Sequence, residues 1–162
     1  ILFDMAEESL TSDVLRRDVA VSPNRRALLS RAVSGLRFGV LTVRNLRCKN
    51  IKSSSMLSND VRPYVKCSIG SDVKCTQPQR GEMDPLFQEV FHFVVRDATA
   101  AQLVLQVFDQ CTYTKDFLVG EVSIQVLEAV NGNYSSTENE FLLSGRNEQC
   151  SIACGIEWIG AA

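Results

Sequence analysis

The stretch Asp84-Pro85-Leu86-Phe87-Gln88-Glu89-Val90-Phe91-His92-Phe93-Val94-Val95 decides the fold of this chain. Met83-Asp84-Pro85 reads as a turn, because proline fixes its own φ and pushes the residue before it out of the helical region. Beyond the turn, Phe91, Phe93 and Val95 alternate with His92 and Val94. A period of two puts the aromatic rings on one face, the pattern of a half-buried strand.

The same period recurs on both sides of that stretch. Upstream, Leu41, Val43 and Asn45 alternate with Thr42 and Arg44, and residues 61–69 contain Tyr64-Val65-Lys66-Cys67-Ser68-Ile69. Downstream, Leu103, Leu105 and Val107 alternate with Val104 and Gln106, then Val122, Ile124 and Val126 with Ser123 and Gln125. Residues 152–159 supply a last strand, and short pieces at 72–76 and 141–143 bring the total to about eight. Gly70-Ser71 and Asn131-Gly132-Asn133 are turn formers between them. Many short strands without intervening helices predict an all-β, eight-stranded antiparallel sandwich over residues 36–160.

Residues 1–35 read differently. Phe3, Leu10 and Val14 recur at near-helical spacing until Ser22-Pro23-Asn24 interrupts them. A second short helical segment puts Leu28, Leu29 and Val33 among Arg25, Arg26 and Arg31, and Ser34-Gly35 closes it. The expectation is an N-terminal helical, basic arm or linker. It is marginal as a free helix, so packing of its apolar stripe is favoured over membrane binding through Arg25, Arg26 and Arg31.

With 45% hydrophobic and 22% charged residues, the 162-residue chain has material for one sizeable core and is not a disordered segment. No apolar run reaches the roughly 18 residues of a membrane span. The chain opens on Ile1 rather than Met, which suggests a piece of something longer. The net charge of −2 conceals a local +9 over residues 16–52, set against −4 before it and −7 after it. A basic segment on an acidic body points to an anionic partner or to an acidic face that it pairs with. Six cysteines without a CxxC pair, and a lone His92 without a nearby cysteine, argue against zinc. A core of this size needs no disulfide staples, so a reducing compartment is favoured. The sequon Asn133-Tyr134-Ser135 carries little weight.

Four of these stretches resemble the C2 domain, the lipid- and calcium-binding sandwich found in protein kinase C and the synaptotagmins. Gly39-Val40-Leu41-Thr42-Val43, running to Cys48 and Ile51, resembles the family's opening strand. Arg62-Pro63-Tyr64-Val65-Lys66 is similar to its Asp-Pro-Tyr-Val-Lys. Asp84-Pro85-Leu86-Phe87-Gln88-Glu89 with Phe91 and Phe93 resembles Asn-Pro-x-Phe-Asn-Glu-x-Phe-x-Phe, the most specific match. Leu105-Gln106-Val107-Phe108-Asp109 with Leu118-Val119-Gly120-Glu121 is similar to Val-x-Asp … Ile-Gly-Glu. The resemblance covers residues 36–159. Starting at the opening strand and ending at Ile156-Glu157-Trp158-Ile159, it looks like the circularly permuted variant called type II.

The calcium chemistry implied by that resemblance is not matched. Calcium takes six to eight oxygens, mostly from carboxylates. Of the family's five loop aspartates only Asp109 is in place. Ser55 or Met56, Arg62, Cys111 and Phe117 stand at the other positions, with Asp116 and Asp60 nearby. Arg62 is expected to take the place of the cation and to pair with Asp109. Neither calcium nor another metal or cofactor is expected.

What remains is membrane chemistry without calcium. Met56, Leu57 and Phe117 put apolar side chains on the loops, beside Lys49, Lys52 and Arg62. The competing reading is that Leu57 and Phe117 fill the space left by the metal site. Lys66, Lys74 and Arg80 are candidates for the family's basic strand face, with an ordinary solvated face favoured for them. No catalytic constellation is present. His92 alternates with two Phe residues and should face outward, Cys111 has no base beside it, and Asp109 with Asp116 lacks a cleft. Nucleic acid is excluded as a partner, since the arginines are not interleaved with aromatics. The expected function is a calcium-independent, non-enzymatic module. It would bind anionic phospholipid membranes peripherally, on the cytoplasmic side, within a larger trafficking, secretion or signalling protein. The alternative is a scaffold that binds a protein partner or a neighbouring domain instead of lipid.

Overall fold

The computed structural model describes residues 38–51, 60–81, 83–145 and 149–161. In chain order the elements are β1 (Gly39–Lys49), β2 (Pro63–Ile69), β3 (Asp72–Cys75), β4 (Phe91–Val95), β5 (Gln102–Asp109), β6 (Phe117–Gln125), α1 (Val126–Val130), β7 (Asn139–Leu142) and β8 (Ser151–Gly160). The strands form two four-stranded antiparallel sheets, ordered β4-β1-β8-β7 and β3-β2-β5-β6. The last strand thus lies in the middle of the first sheet beside β1, as the permuted arrangement requires. The arm read at 1–35, with Arg25, Arg26 and Arg31, lies outside the described residues.

The inward faces of the two sheets make one core. Leu41, Val43, Phe93 and Ile152 come from the first sheet and Val65, Leu103, Leu105 and Val107 from the second, all fully buried. The decisive stretch works as its spacing predicts. Cys48 N–H donates to Pro85 O at 3.0 Å and Phe87 N–H to Leu46 O at 2.8 Å, so the segment before β4 already runs along β1. Phe87 enters the core at 2% exposure, and Phe93 follows it from β4.

Two sequence readings are corrected. In β1, Leu41 and Val43 point inward, but Asn45 does not continue that face. Its φ is 55°, and the pairing with β8 shifts register between Arg44 and Arg47. This bulge inserts one residue, so Leu46 and Cys48 take over as the buried positions. Asparagine tolerates the left-handed conformation better than most side chains. The sixth strand starts at Phe117 rather than 122, because it pairs along the whole of β5, from Gln102↔Gln125 to Asp109↔Phe117. Val126 is buried but opens α1 instead of ending the strand. A single buried valine satisfies either period.

At the opposite end of β1, Gly39 permits a close strand approach. A Cβ there would lie 2.4 Å from Ile159 O and 2.6 Å from the Trp158 ring. Trp158 packs part-buried on the core.

Phe87→Ala should lower unfolding free energy by about 3–5 kcal/mol, because a buried aromatic leaves a cavity that strands cannot close. Val94→Thr, on the exposed face of β4, should change it by no more than about 0.5 kcal/mol. Urea denaturation of the two variants checks the contrast.

Candidate functional site at the loop end

The described parts of the β1–β2, β3–β4 and β5–β6 connections lie at one end of the sandwich. The register Pro63↔Asp109 sets the start of β2 against the end of β5. That pairing brings Arg62 to Asp109, which is 2% exposed. Arg62 N–H donates to Asp109 Oδ1 at 2.9 Å, and Arg62 O accepts from Gln110 N–H at 3.0 Å. The guanidinium of Arg62 lies 3.6 Å from Asp60 Oδ2, and Arg80 Nε lies 3.3 Å from Asp60 Oδ1. The expected meeting of Arg62 with Asp109 is therefore made through the main chain, while its side chain reaches Asp60.

The other carboxylates at this end also have protein donors. Asp116 accepts from Cys111 N–H at 3.1 Å through one oxygen and from Tyr64 O–H through the other. Asp84 accepts from Asn50 N–H at 2.8 Å, and Glu89 from Gln77 N–H at 2.6 Å. All five described carboxylates of the loop end are thus engaged by N–H, O–H or guanidinium groups. A calcium cage needs such oxygens turned together toward one point. These residues do not fit it, and among the described residues no group of three or more His, Cys, Asp or Glu is placed to hold a metal.

Beside the β5–β6 loop, on the outer face of the second sheet, lies an open groove of about 940 Å³ lined by Lys66, Phe108, Cys111, Lys115, Asp116 and Phe117. Tyr64 stacks on Phe108 with ring centroids 5.4 Å apart, and Lys66 Nζ sits 5.1 Å from the centroid of the same ring. Burial, then the hydrogen bond to Asp116 and the charge of that carboxylate, push the Tyr64 phenol up from its ordinary value.

The basic strand face does not assemble. Lys66 stands opposite Cys75 and Lys74 opposite the buried Cys67. Opposed residues share a face and neighbours alternate, so Lys66 and Lys74 point to opposite sides of the sheet. Lys74 lies on the core side, with Nζ 5.4 Å from the Phe93 ring centroid and 3.4 Å from Asp72. Arg80 is held by Asp60 in a loop.

The loop candidates separate as well. Phe117 is half-buried, packs on the core and opens β6 opposite Asp109, and it also lines the open groove. Lys49 is on the outer face of the first sheet, 3.6 Å from Glu140. Met56, Leu57 and Lys52 lie outside the described residues. The residues that sequence reading missed are Tyr113, 97% exposed in the β5–β6 loop, its exposed neighbour Lys115, and Met83, 50% exposed on the β3–β4 connection. The available signal was an aromatic inside the polar run Thr112-Tyr113-Thr114-Lys115. His92 is exposed, as expected, with Nδ1 2.9 Å from Thr42 Oγ1.

Comparison with known proteins agrees with this architecture. The family model described as C2 domain matches residues 39–141. Extended synaptotagmin-1 of Mus musculus is 26% identical over 99 residues, covering 61% of this chain and 9% of that protein. This chain therefore spans less than a tenth of the relative's length. Among solved structures, a single C2 domain of plant Extended Synaptotagmin 1 superposes with a TM-score of 0.66 at 18% identity, covering 78% of this chain and 98% of that one. The calcium-bound pair of C2 domains from Extended Synaptotagmin 2 gives 0.68 at 17% identity, over 78% and 47% of the two chains. At these identities the structures attest the fold.

Tyr64→Phe should lower stability at pH 7 by about 1 kcal/mol, the worth of one hydrogen bond. The pH dependence has a definite sign. The folded phenol is held above its ordinary 10.0, so the unfolded chain loses that proton first. The stability Tyr64 supplies is whole below about pH 10 and falls as pH rises above it. Urea midpoints at pH 7 and 10.5 should show a shallower alkaline loss in the variant.

Proposed function

This chain belongs to the C2 domain family, and on that premise we propose that it is a calcium-independent module that docks a larger protein onto anionic phospholipid membranes. It acts peripherally, from the cytoplasmic side, by binding and not by catalysis, and the larger protein serves trafficking, secretion or signalling. The observation that carries this reading is the state of the loop end. Its described carboxylates already take donors from the protein itself, while Tyr113 and Met83 stay exposed.

An exposed tyrosine suits the membrane interface, where its ring meets acyl chains and its hydroxyl stays wet. Lys115 beside it and Lys66 above the Phe108 ring can meet phosphate headgroups at about 1 kcal/mol each. No helix among the described residues is long and apolar enough to cross a membrane. With so few contacts a single module binds weakly, which fits a domain that works in concert with others in a longer chain.

The protein-docking reading has its own support at the far end of the first sheet. Val94 and Ile159, 65% and 58% exposed, flank Val40 in one row across three strands, and Phe38 lies two residues earlier on that face. Scattered exposed apolar residues are ordinary, whereas an aligned row marks a contact surface.

Co-sedimentation with phosphatidylserine-containing vesicles, with calcium or with a chelator, tests the membrane reading. The chain should bind in the chelator, bind less as salt rises, and lose several-fold in affinity in Tyr113→Ala/Lys115→Ala. Binding that needs calcium, or that ignores the double substitution, would overturn it. Failure to bind any vesicle would transfer the function to the Val94–Ile159 face.

A further inference from the structure

All six cysteines lie among the described residues, and all are thiols. Cys75 is exposed and Cys111 half-buried, but Cys48, Cys67, Cys150 and Cys154 have no exposure at all. In the pairing of β1 with β8, Cys48 stands opposite Ile152, so Cys150 and Cys154 fall two residues to either side of it. Cys67 joins them in the core from the second sheet. Burial pushes the Cys154 thiol up to about 12 and raises Cys67 and Cys48, the latter with a further contribution from Cys150 and Cys154. Held as neutral thiols, the three are poor nucleophiles in the folded domain.

The fold leaves no room for a disulfide between Cys150 and Cys154. They are four residues apart along an extended chain, about 13 Å. A disulfide spans roughly 4.4–6.8 Å between Cα atoms. Cys48 is diagonal to both, at about 7–8 Å. In the unfolded chain the preference is reversed. Cys150 and Cys154 close the shortest loop of any cysteine pair, so theirs is the disulfide that forms most readily.

We propose that folding of this domain is redox-gated: the sandwich closes only on a chain in which Cys150 and Cys154 are not joined, and once closed it shields the core thiols from oxidants. The gate is thiol–disulfide exchange with a disulfide oxidant such as oxidised glutathione. Two thiols of the unfolded chain lose their protons and form one S–S bond. The S–S bond of the oxidant breaks, and its two halves leave as thiols carrying those protons. A Cys150–Cys154 link draws in the start of β8, the strand that must extend through the middle of the first sheet. Oxidising conditions therefore remove newly made or unfolded copies and spare folded ones.

The test uses the full chain with Cys75→Ser and Cys111→Ser, so that only core thiols report. If that variant is poorly behaved, wild-type protein alkylated at the two accessible thiols while folded serves equally. Maleimide should label the four core thiols at least about a thousandfold more slowly in the folded protein than in urea. Protein held in urea with oxidised glutathione, then diluted, should recover little native signal, and dithiothreitol should restore it. Adding Cys154→Ala should recover refolding under oxidant. Core thiols that label equally fast folded and unfolded would overturn the proposal. So would a chain that mass spectrometry shows to hold the intrachain disulfide and that still refolds fully.

Discussion

Everything in this domain hangs on the pairing of β1 at the centre of the first sheet. It takes β4 on one side and β8 on the other, and its second half also binds the segment ahead of β4 through Pro85 and Phe87. The bulge at Asn45 is the constraint within that pairing. By inserting one residue it turns Leu46 and Cys48 into the core and Arg47 and Lys49 outward. Without that change of phase, the second half of the strand would bury two cations and expose the apolar residues that close the core.

The loop end follows from the same logic of pairing. Because β2 starts opposite the end of β5, a main-chain N–H at Arg62 arrives beside a buried carboxylate at Asp109. A buried carboxylate demands a donor, and here the protein supplies one itself. Asp116, with Tyr64 and the Cys111 N–H, repeats the arrangement across the loop. The guanidinium groups at this end, Arg62 and Arg80, both pair with the carboxylate of Asp60, and Arg80 stays exposed. The outward features among the described residues include an aromatic tip at Tyr113 and the lysines Lys66 and Lys115.

The thiols follow the same packing rule. Cysteine serves at four buried positions as a small apolar side chain, and along β8 the extended chain holds Cys150 and Cys154 apart. Of the two cysteines outside the core, Cys75 stands opposite Lys66 and Cys111 lines the groove beside Phe108.

Much of the fold was legible in the chain. The period of two around Phe91 and Phe93, the turn at Asp84-Pro85 and the sequence of short strands determined an antiparallel sandwich, and Arg62, Cys111 and Phe117 could be read as departures from the aspartates of the family it resembles. These are local properties, set by side-chain alternation and by residue chemistry at single positions. Tertiary structure alone decided where each cation and aromatic points. Lys66 and Lys74 look equivalent on paper, yet register sets them on opposite faces, because a shift of one residue inverts a strand. Phe117 and Tyr113 are both aromatics near one loop, yet one pairs into β6 and the other stands in solvent, since only the partner strand determines where the ladder ends. Contacts between residues distant in sequence, such as Arg62 with Asp109 or Cys48 with Ile152, have no signature in either segment and exist only once the strands have paired.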